Sequence, residues 1–106
     1  MKREIILPET LDGLPSVAYR DRLKLPRESG VYFVLLDGEA LYIGSSYDIR
    51  ARWRRHGFRQ RIESRGLEDR VRIAWIEVPL DLYEYEKACI NKWVPPFGKG
   101  SVIIEI

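Results

Sequence analysis

The amino-acid sequence predicts a sandwich-like α+β fold, with a small and mainly antiparallel three-stranded central sheet flanked by helices. Three observations predict it. Val31–Leu36 and Ala40–Ile43 are apolar runs joined by Asp37-Gly38, a strong short-range hairpin signal. Residues 71–78 are rich in β-branched side chains and supply a third strand. Segments of helical character lie between and after these, giving the order hairpin, helix, strand, helix, which suits a sheet with helices packed on it.

Residues 1–29 form an N-terminal extension divided by Pro8, Pro15 and Pro26. Within it, Val17–Leu25 is expected to hold a turn or two of helix, with Ser16 as its cap. Ser29-Gly30 opens the first strand, and Gly44-Ser45-Ser46 is expected to close the second. Asp48 then caps an Arg-rich helix running to about His56; Gly57 interrupts it, and Phe58–Ser64 continues as a second piece until Gly66. Pro79 ends the third strand. Asp81 caps a second helix reaching Val94, which Pro95-Pro96 stops. Residues 30–98 therefore form the domain proper. Residues 99–106 form a C-terminal strand or tail, in which Val102–Ile106 reads as a short closing strand with Glu4–Leu7 as its candidate partner.

A chain of 106 residues with 45% hydrophobic and 32% charged side chains suits one globular domain rather than a disordered segment. The single cysteine, Cys89, excludes an internal disulfide and a cysteine-based zinc site. No apolar run approaches the roughly 20 residues that span a bilayer, and Ile5-Ile6-Leu7 is too short for the core of a signal peptide. These features point to a cytoplasmic protein with no membrane partner. No strand leads into a Gly-rich phosphate loop, which excludes the P-loop and dinucleotide-binding classes.

The net charge of +2 conceals an uneven distribution. Residues 50–65 contain Arg50, Arg52, Arg54, Arg55, Arg59, Arg61 and Arg65 against Glu63 alone, so this segment carries +6 and the remainder −4. All seven cations are arginine, whose planar fork matches phosphate oxygens where lysine offers a point charge. The segment is either a nucleic-acid footprint or a solvated Arg-rich helix.

On this helix Ile49 and Trp53 are four apart and should face the core. Arg52 and His56 share an adjacent face; His56 either works beside the cations or caps and frays the helix end before Gly57. On the second helix Leu82, Cys89, Ile90 and Trp93 form an apolar stripe, with Glu84, Lys87 and Asn91 opposite. Glu86 falls inside that stripe, where an unpaired carboxylate costs several kcal/mol. It pairs with an arginine of the first helix, reaches water at the rim, or holds a divalent cation, since magnesium takes oxygen ligands and often only one or two carboxylates. Tyr32 and Tyr42 flank the hairpin turn and can share a face. Each is a core tyrosine by default, or a phenol that orients water if nearby cations lower its pKa.

These residues also resemble a known family. Gly30-Val31-Tyr32 and Tyr42-Ile43-Gly44 are similar to the paired motifs of the GIY-YIG nuclease superfamily. Arg52 falls ten residues after Tyr42, where that family carries its essential arginine. Arg52-Trp53-Arg54-Arg55-His56 resembles the homing-endonuclease and restriction-enzyme branches, and Glu86–Ile90 followed by Pro95 resembles the metal-binding glutamate segment. The resemblance spans about residues 28–98. It implies a three-stranded antiparallel sheet and cleavage of DNA with one divalent cation, Mg²⁺ or Mn²⁺. Glu86 would bind that cation, Tyr32 and Tyr42 would position or activate water, Arg52 would hold the scissile phosphate and His56 would assist proton transfer or positioning. Arg50, Arg54, Arg55, Arg59 and Arg61 would contact the nucleic-acid backbone, and Gly30 and Gly44 would shape the site. A homodimer or a separate DNA-targeting partner would suit so small a nuclease. The family's pattern carries an asparagine two or three residues after its proline pair; Gly98 stands there instead, with Lys99 beside it. Against the endonuclease stand a non-catalytic nucleic-acid-binding module that retains the fold, and an interaction protein.

Overall fold

The computed structural model of the protein describes residues 5–98. Its sheet has the order β1-β4-β2-β3-β5. The three expected strands, β2 (Gly30–Leu36), β3 (Glu39–Ser46) and β4 (Val71–Glu77), form its centre, and all their pairings are antiparallel. The expected number was too small. Ser16–Ala18 is a short strand, β1, antiparallel to β4, and Phe97–Gly98 is a two-residue strand, β5, parallel to β3. Both cover sheet edges that would otherwise present unpaired backbone groups. The helix expected from Val17 is therefore shorter and later: a 3-10 helix, Tyr19–Lys24, follows β1. Ile5–Leu7 is not a strand, and the closing strand expected at 102–106 lies outside the described residues.

The hairpin turn is the one its sequence demands. Asp37 and Gly38 have φ of 51° and 89°, the left-handed values of a two-residue turn that matches strand twist. The strand after it runs three residues past the expected end, because Gly44, Ser45 and Ser46 pair with Tyr32, Val31 and Gly30. The hairpin also contains an irregularity between Val34 and Leu35: Leu35 pairs with Ala40 but Val34 with Tyr42, leaving Leu41 as an extra residue. Counting straight back from the turn would set Tyr42 opposite Phe33. Directly opposed residues share a face, so the bulge moves Tyr42 to the other face, that of Val34 and Tyr32.

The sheet is buried on both sides. On one face Tyr32, Val34, Val71 and Ile73 pack with Ile49 and Trp53 of α1 (Ile49–Arg54), Phe58 and Ile62 of α2 (Phe58–Ser64), and Tyr19 and Leu25. On the other, Val31, Phe33, Ile43 and Ala74 pack with Cys89, Leu82, Ile90 and Trp93 of α3 (Leu82–Trp93). The expected core faces of both helices are thus correct. Asp48 caps α1 through the Ala51 N–H at 3.0 Å. Asp81 precedes α3 in a left-handed conformation without a side-chain capping bond. Among the described residues no helix is long and apolar enough to cross a membrane.

Phe33 is fully buried in the central strand, edge-on to Trp93 at 5.6 Å between ring centroids. Phe33→Ala should lower the unfolding free energy by about 3–5 kcal/mol in a urea titration. Tyr47→Ala, at a side chain 84% exposed, should change it by less than about 0.5 kcal/mol.

Candidate active site

The Arg-rich helix ends two residues earlier than its pattern suggests, and the ending builds the site. Arg55 leaves helical geometry at φ −136°. Arg59 Nη1 donates to the freed Arg54 carbonyl at 2.6 Å. His56 then turns inward, 5% exposed, and its Nδ1 accepts the Phe58 N–H at 3.0 Å, covering the open start of α2. Its ring stacks on Trp53, 4.3 Å between centroids and 8° from parallel. His56 does cap a helix, but the start of α2 rather than the end of α1, and its other ring nitrogen faces Tyr32.

With Nδ1 occupied as an acceptor, neutral His56 carries its proton on Nε2. That nitrogen lies 2.9 Å from the Tyr32 hydroxyl, so His56 donates and the phenol oxygen accepts. Burial, reinforced by the Arg52 charge, lowers the His56 pKa to about 4, so the ring is neutral at physiological pH. Arg52, exposed on α1, is close enough for its charge to pull on the pKa of both Tyr32 and Tyr42 against burial. The rings of the two tyrosines stack at 6.3 Å. His56 thus anchors the Tyr32 hydroxyl, and Tyr42 lies stacked beside it.

Gly44 makes room for the Tyr32 hydroxyl. Opposite Tyr32 in the register, it would place a Cβ 2.5 Å from the Tyr32 hydroxyl oxygen. Gly30 is constrained by backbone, since a Cβ there would lie 2.3 Å from the Ile76 carbonyl oxygen. The phenols do not become bases. Burial pushes both pKa values above the ordinary tyrosine value, outweighing the pull of Arg52. The expectation of cation-lowered phenols is therefore corrected: desolvation wins, and both side chains stay protonated.

Glu86 arrives from α3 and is 2% exposed. Ser45 Oγ donates to its Oε1 at 2.6 Å, while Oε2 is buried and unpartnered. Its charge raises the pKa of both Tyr32 and Tyr42, alongside the opposing influence of Arg52. Of the three readings, neither the arginine bridge nor the water-exposed rim fits: Glu86 is buried, and its one hydrogen bond comes from serine. A hard cation fits best, because a buried carboxylate oxygen without a donor is what magnesium coordinates, the rest of its shell being water. Among the described residues no group of three or more His, Cys, Asp or Glu side chains could hold a metal ion.

The other arginines separate by environment. Arg50 donates to the Leu25 carbonyl at 2.6 Å, fastening α1 to the N-terminal extension. Arg59 bonds Tyr19, Arg54 and Glu63, which makes it structural glue. Arg61 lies over the Phe97 ring at 5.2 Å. Arg54 and Arg55 are exposed. Gly98 pairs with Ile43 in β5, next to the motif, and offers backbone alone there; Lys99 lies outside the described residues. Ser45 was missed. Its signal was only its place, one residue out of phase with Gly44 and therefore on the α3 side of β3. Trp53, expected merely in the core, also supports His56.

No family model matches the sequence, and no curated protein does. Solved structures do. The GIY-YIG N-terminal endonuclease domain of UvrC from Thermotoga maritima, bound to magnesium, aligns with a TM-score of 0.57 and 24% identity over 74% of this chain and 92% of that one. Two point mutants of the same domain, each bound to its catalytic divalent cation, align at TM-scores of 0.57 and 0.55 with 24% and 22% identity, covering 73% and 74% of this chain and 89% and 91% of theirs. At this identity the likeness shows a shared fold.

The low His56 pKa has a definite sign in stability. A folded pKa near 4, below the ordinary 6.5, makes the neutral ring's contribution complete above about pH 6.5 and lost as pH falls toward 4. Nitrogen-detected NMR should show a single imidazole titrating near 4, with Nε2 protonated and Nδ1 bare at pH 7. The acid loss of stability between pH 6.5 and 4 should be shallower in His56→Gln.

Proposed function

We propose that this chain, which has the GIY-YIG fold, is a divalent-metal-dependent endonuclease that hydrolyses DNA phosphodiester bonds. The observation that carries the reading is the buried Glu86 carboxylate: one oxygen is unpartnered, and its field acts on the same two phenols as that of Arg52. Most buried polar side-chain atoms have a partner, so an unpartnered carboxylate oxygen calls for one. The metal-bound UvrC domain on the same fold, and the order of Tyr32, Tyr42, Arg52, His56 and Glu86 along the chain, support the same reading.

Hydrolysis requires water to attack phosphorus in line and give up a proton to solvent, charge to gather on the non-bridging oxygens, and the P–O bond to the leaving sugar oxygen to break as that oxygen takes a proton from solvent. Arg52 is exposed, and its fork can hold the scissile phosphate and absorb the developing charge. Tyr42, protonated and stacked on Tyr32, donates to a phosphate oxygen and fixes its direction. Tyr32 holds Tyr42. His56 stays neutral and anchors Tyr32, so its role is positioning rather than proton abstraction. Glu86, through Oε2, would hold the cation. When bound, Mg²⁺ or Mn²⁺ supplies positive charge that makes water more acidic and neutralises the phosphate. Of the outlying arginines, Arg54 and Arg55 are the best placed to meet the DNA backbone. The internal bonds of Arg50 and Arg59 weaken the competing reading of a purely electrostatic binder.

Supercoiled plasmid incubated with Mg²⁺ should be nicked. Glu86→Ala should abolish nicking, and Arg52→Ala should slow it by about 10²–10³-fold, the usual cost of losing a donor aimed at transition-state charge. Nicking that is equal in wild type and Glu86→Ala would sink the proposal, as would its absence on plasmid, flap and branched substrates.

A further inference from the structure

The geometry points to Ser45 as a positioning residue that gives the two oxygens of Glu86 different roles and thereby sets the affinity of the site for a divalent cation. The inference rests on the metal-dependent reading above and deepens it.

A terminal carboxylate torsion is soft, with broad and roughly two-fold preferences. Left alone, Glu86 could turn either oxygen, or both, toward a cation, at an entropic cost on every binding event. Ser45 removes that freedom. Its hydroxyl meets Oε1 at 2.6 Å, within the short range of a charge-assisted O–H···O⁻ bond. The serine itself is fixed, because its backbone pairs with Val31 of the buried central strand. Oε2 is thereby presented alone and undonated, which suits one-oxygen ligation of a small hard cation that keeps most of its water. The other buried neighbour on α3, Cys89, competes poorly: burial, with the Glu86 charge second, raises its thiol to about 12 and keeps it protonated.

The phase of the strand makes this possible. Gly44 faces the Tyr32 side, so Ser45 faces α3, and one step along β3 serves both halves of the site. Ser45 is therefore to Glu86 what His56 is to Tyr32: a fixed donor that orients a reactive group without meeting the substrate.

The test is Mn²⁺ binding to the full chain, read by electron paramagnetic resonance and calorimetry without DNA, for wild type, Ser45→Ala, Ser45→Thr and Glu86→Ala. Ser45→Ala should weaken binding about 10–100-fold, the usual effect of losing a partner behind a metal ligand. Ser45→Thr, which keeps the hydroxyl, should stay within about threefold of wild type, a margin well under 1.4 kcal/mol, and Glu86→Ala should show no site. In the nicking assay Ser45→Ala should recover at high Mn²⁺ with an unchanged KM for DNA, a pattern that a merely structural serine would not produce. Wild-type affinity in Ser45→Ala would overturn the inference, as would a Ser45→Thr as weak as the alanine variant, or a wild type that binds no Mn²⁺. Should Ser45→Ala misfold by circular dichroism, the threonine variant and Ser45→Gly carry the same comparison. Ser45-dependent binding in a protein that nicks nothing would support Ser45 while removing the nuclease reading.

Discussion

A single buried negative charge sets the terms for the rest of this molecule. Glu86 sits in the apolar face of α3, 2% exposed, with one oxygen bonded and the other without a donor. Such a group is destabilising unless something positive completes it. It also acts at a distance, raising the pKa of Tyr32, Tyr42 and Cys89. The surrounding structure can be understood as the means of holding that carboxylate, two neutral phenols and one exposed guanidinium around a common space.

Two fixed donors do the holding. His56 has one nitrogen committed to the start of α2 and the other to Tyr32, and its neutrality follows from burial beside Arg52. Ser45 plays the corresponding part for Glu86 from the opposite face of the sheet. Neither is an acid or a base at neutral pH; each converts a rotatable polar group into one with a single direction. Preorganisation of this kind is where a small domain gains most, since reorienting dipoles after a ligand arrives would cost binding energy.

Segregation of the arginines follows the same economy of space. A helix with seven arginines near it looks uniformly basic in one dimension. In three dimensions Arg50 and Arg59 complete backbone carbonyls and a Tyr19–Glu63 cluster, while the charge of Arg52 acts on the phenols. Charge density along the chain therefore overstates the charge offered to a ligand.

The sequence by itself determined the three central strands, the Asp37-Gly38 turn, the core faces of α1 and α3, and the anomaly of Glu86, because each depends on local periodicity or on a residue-specific backbone preference. The short strands β1 and β5 were not legible, since three-residue and two-residue edges have no period of their own and exist only where a neighbouring strand offers unpaired groups. The hairpin allowed the two tyrosines to share a face but did not fix it: counted straight back from the turn, Tyr42 belongs opposite Phe33, and only the bulge at Leu41 brings it to the face of Tyr32. The same holds for the tautomer of His56, the direction of the phenol pKa values and the role of Ser45. All of these are set by burial and by donors that meet only after helix, strand and sheet have packed, quantities that no spacing along a chain can encode.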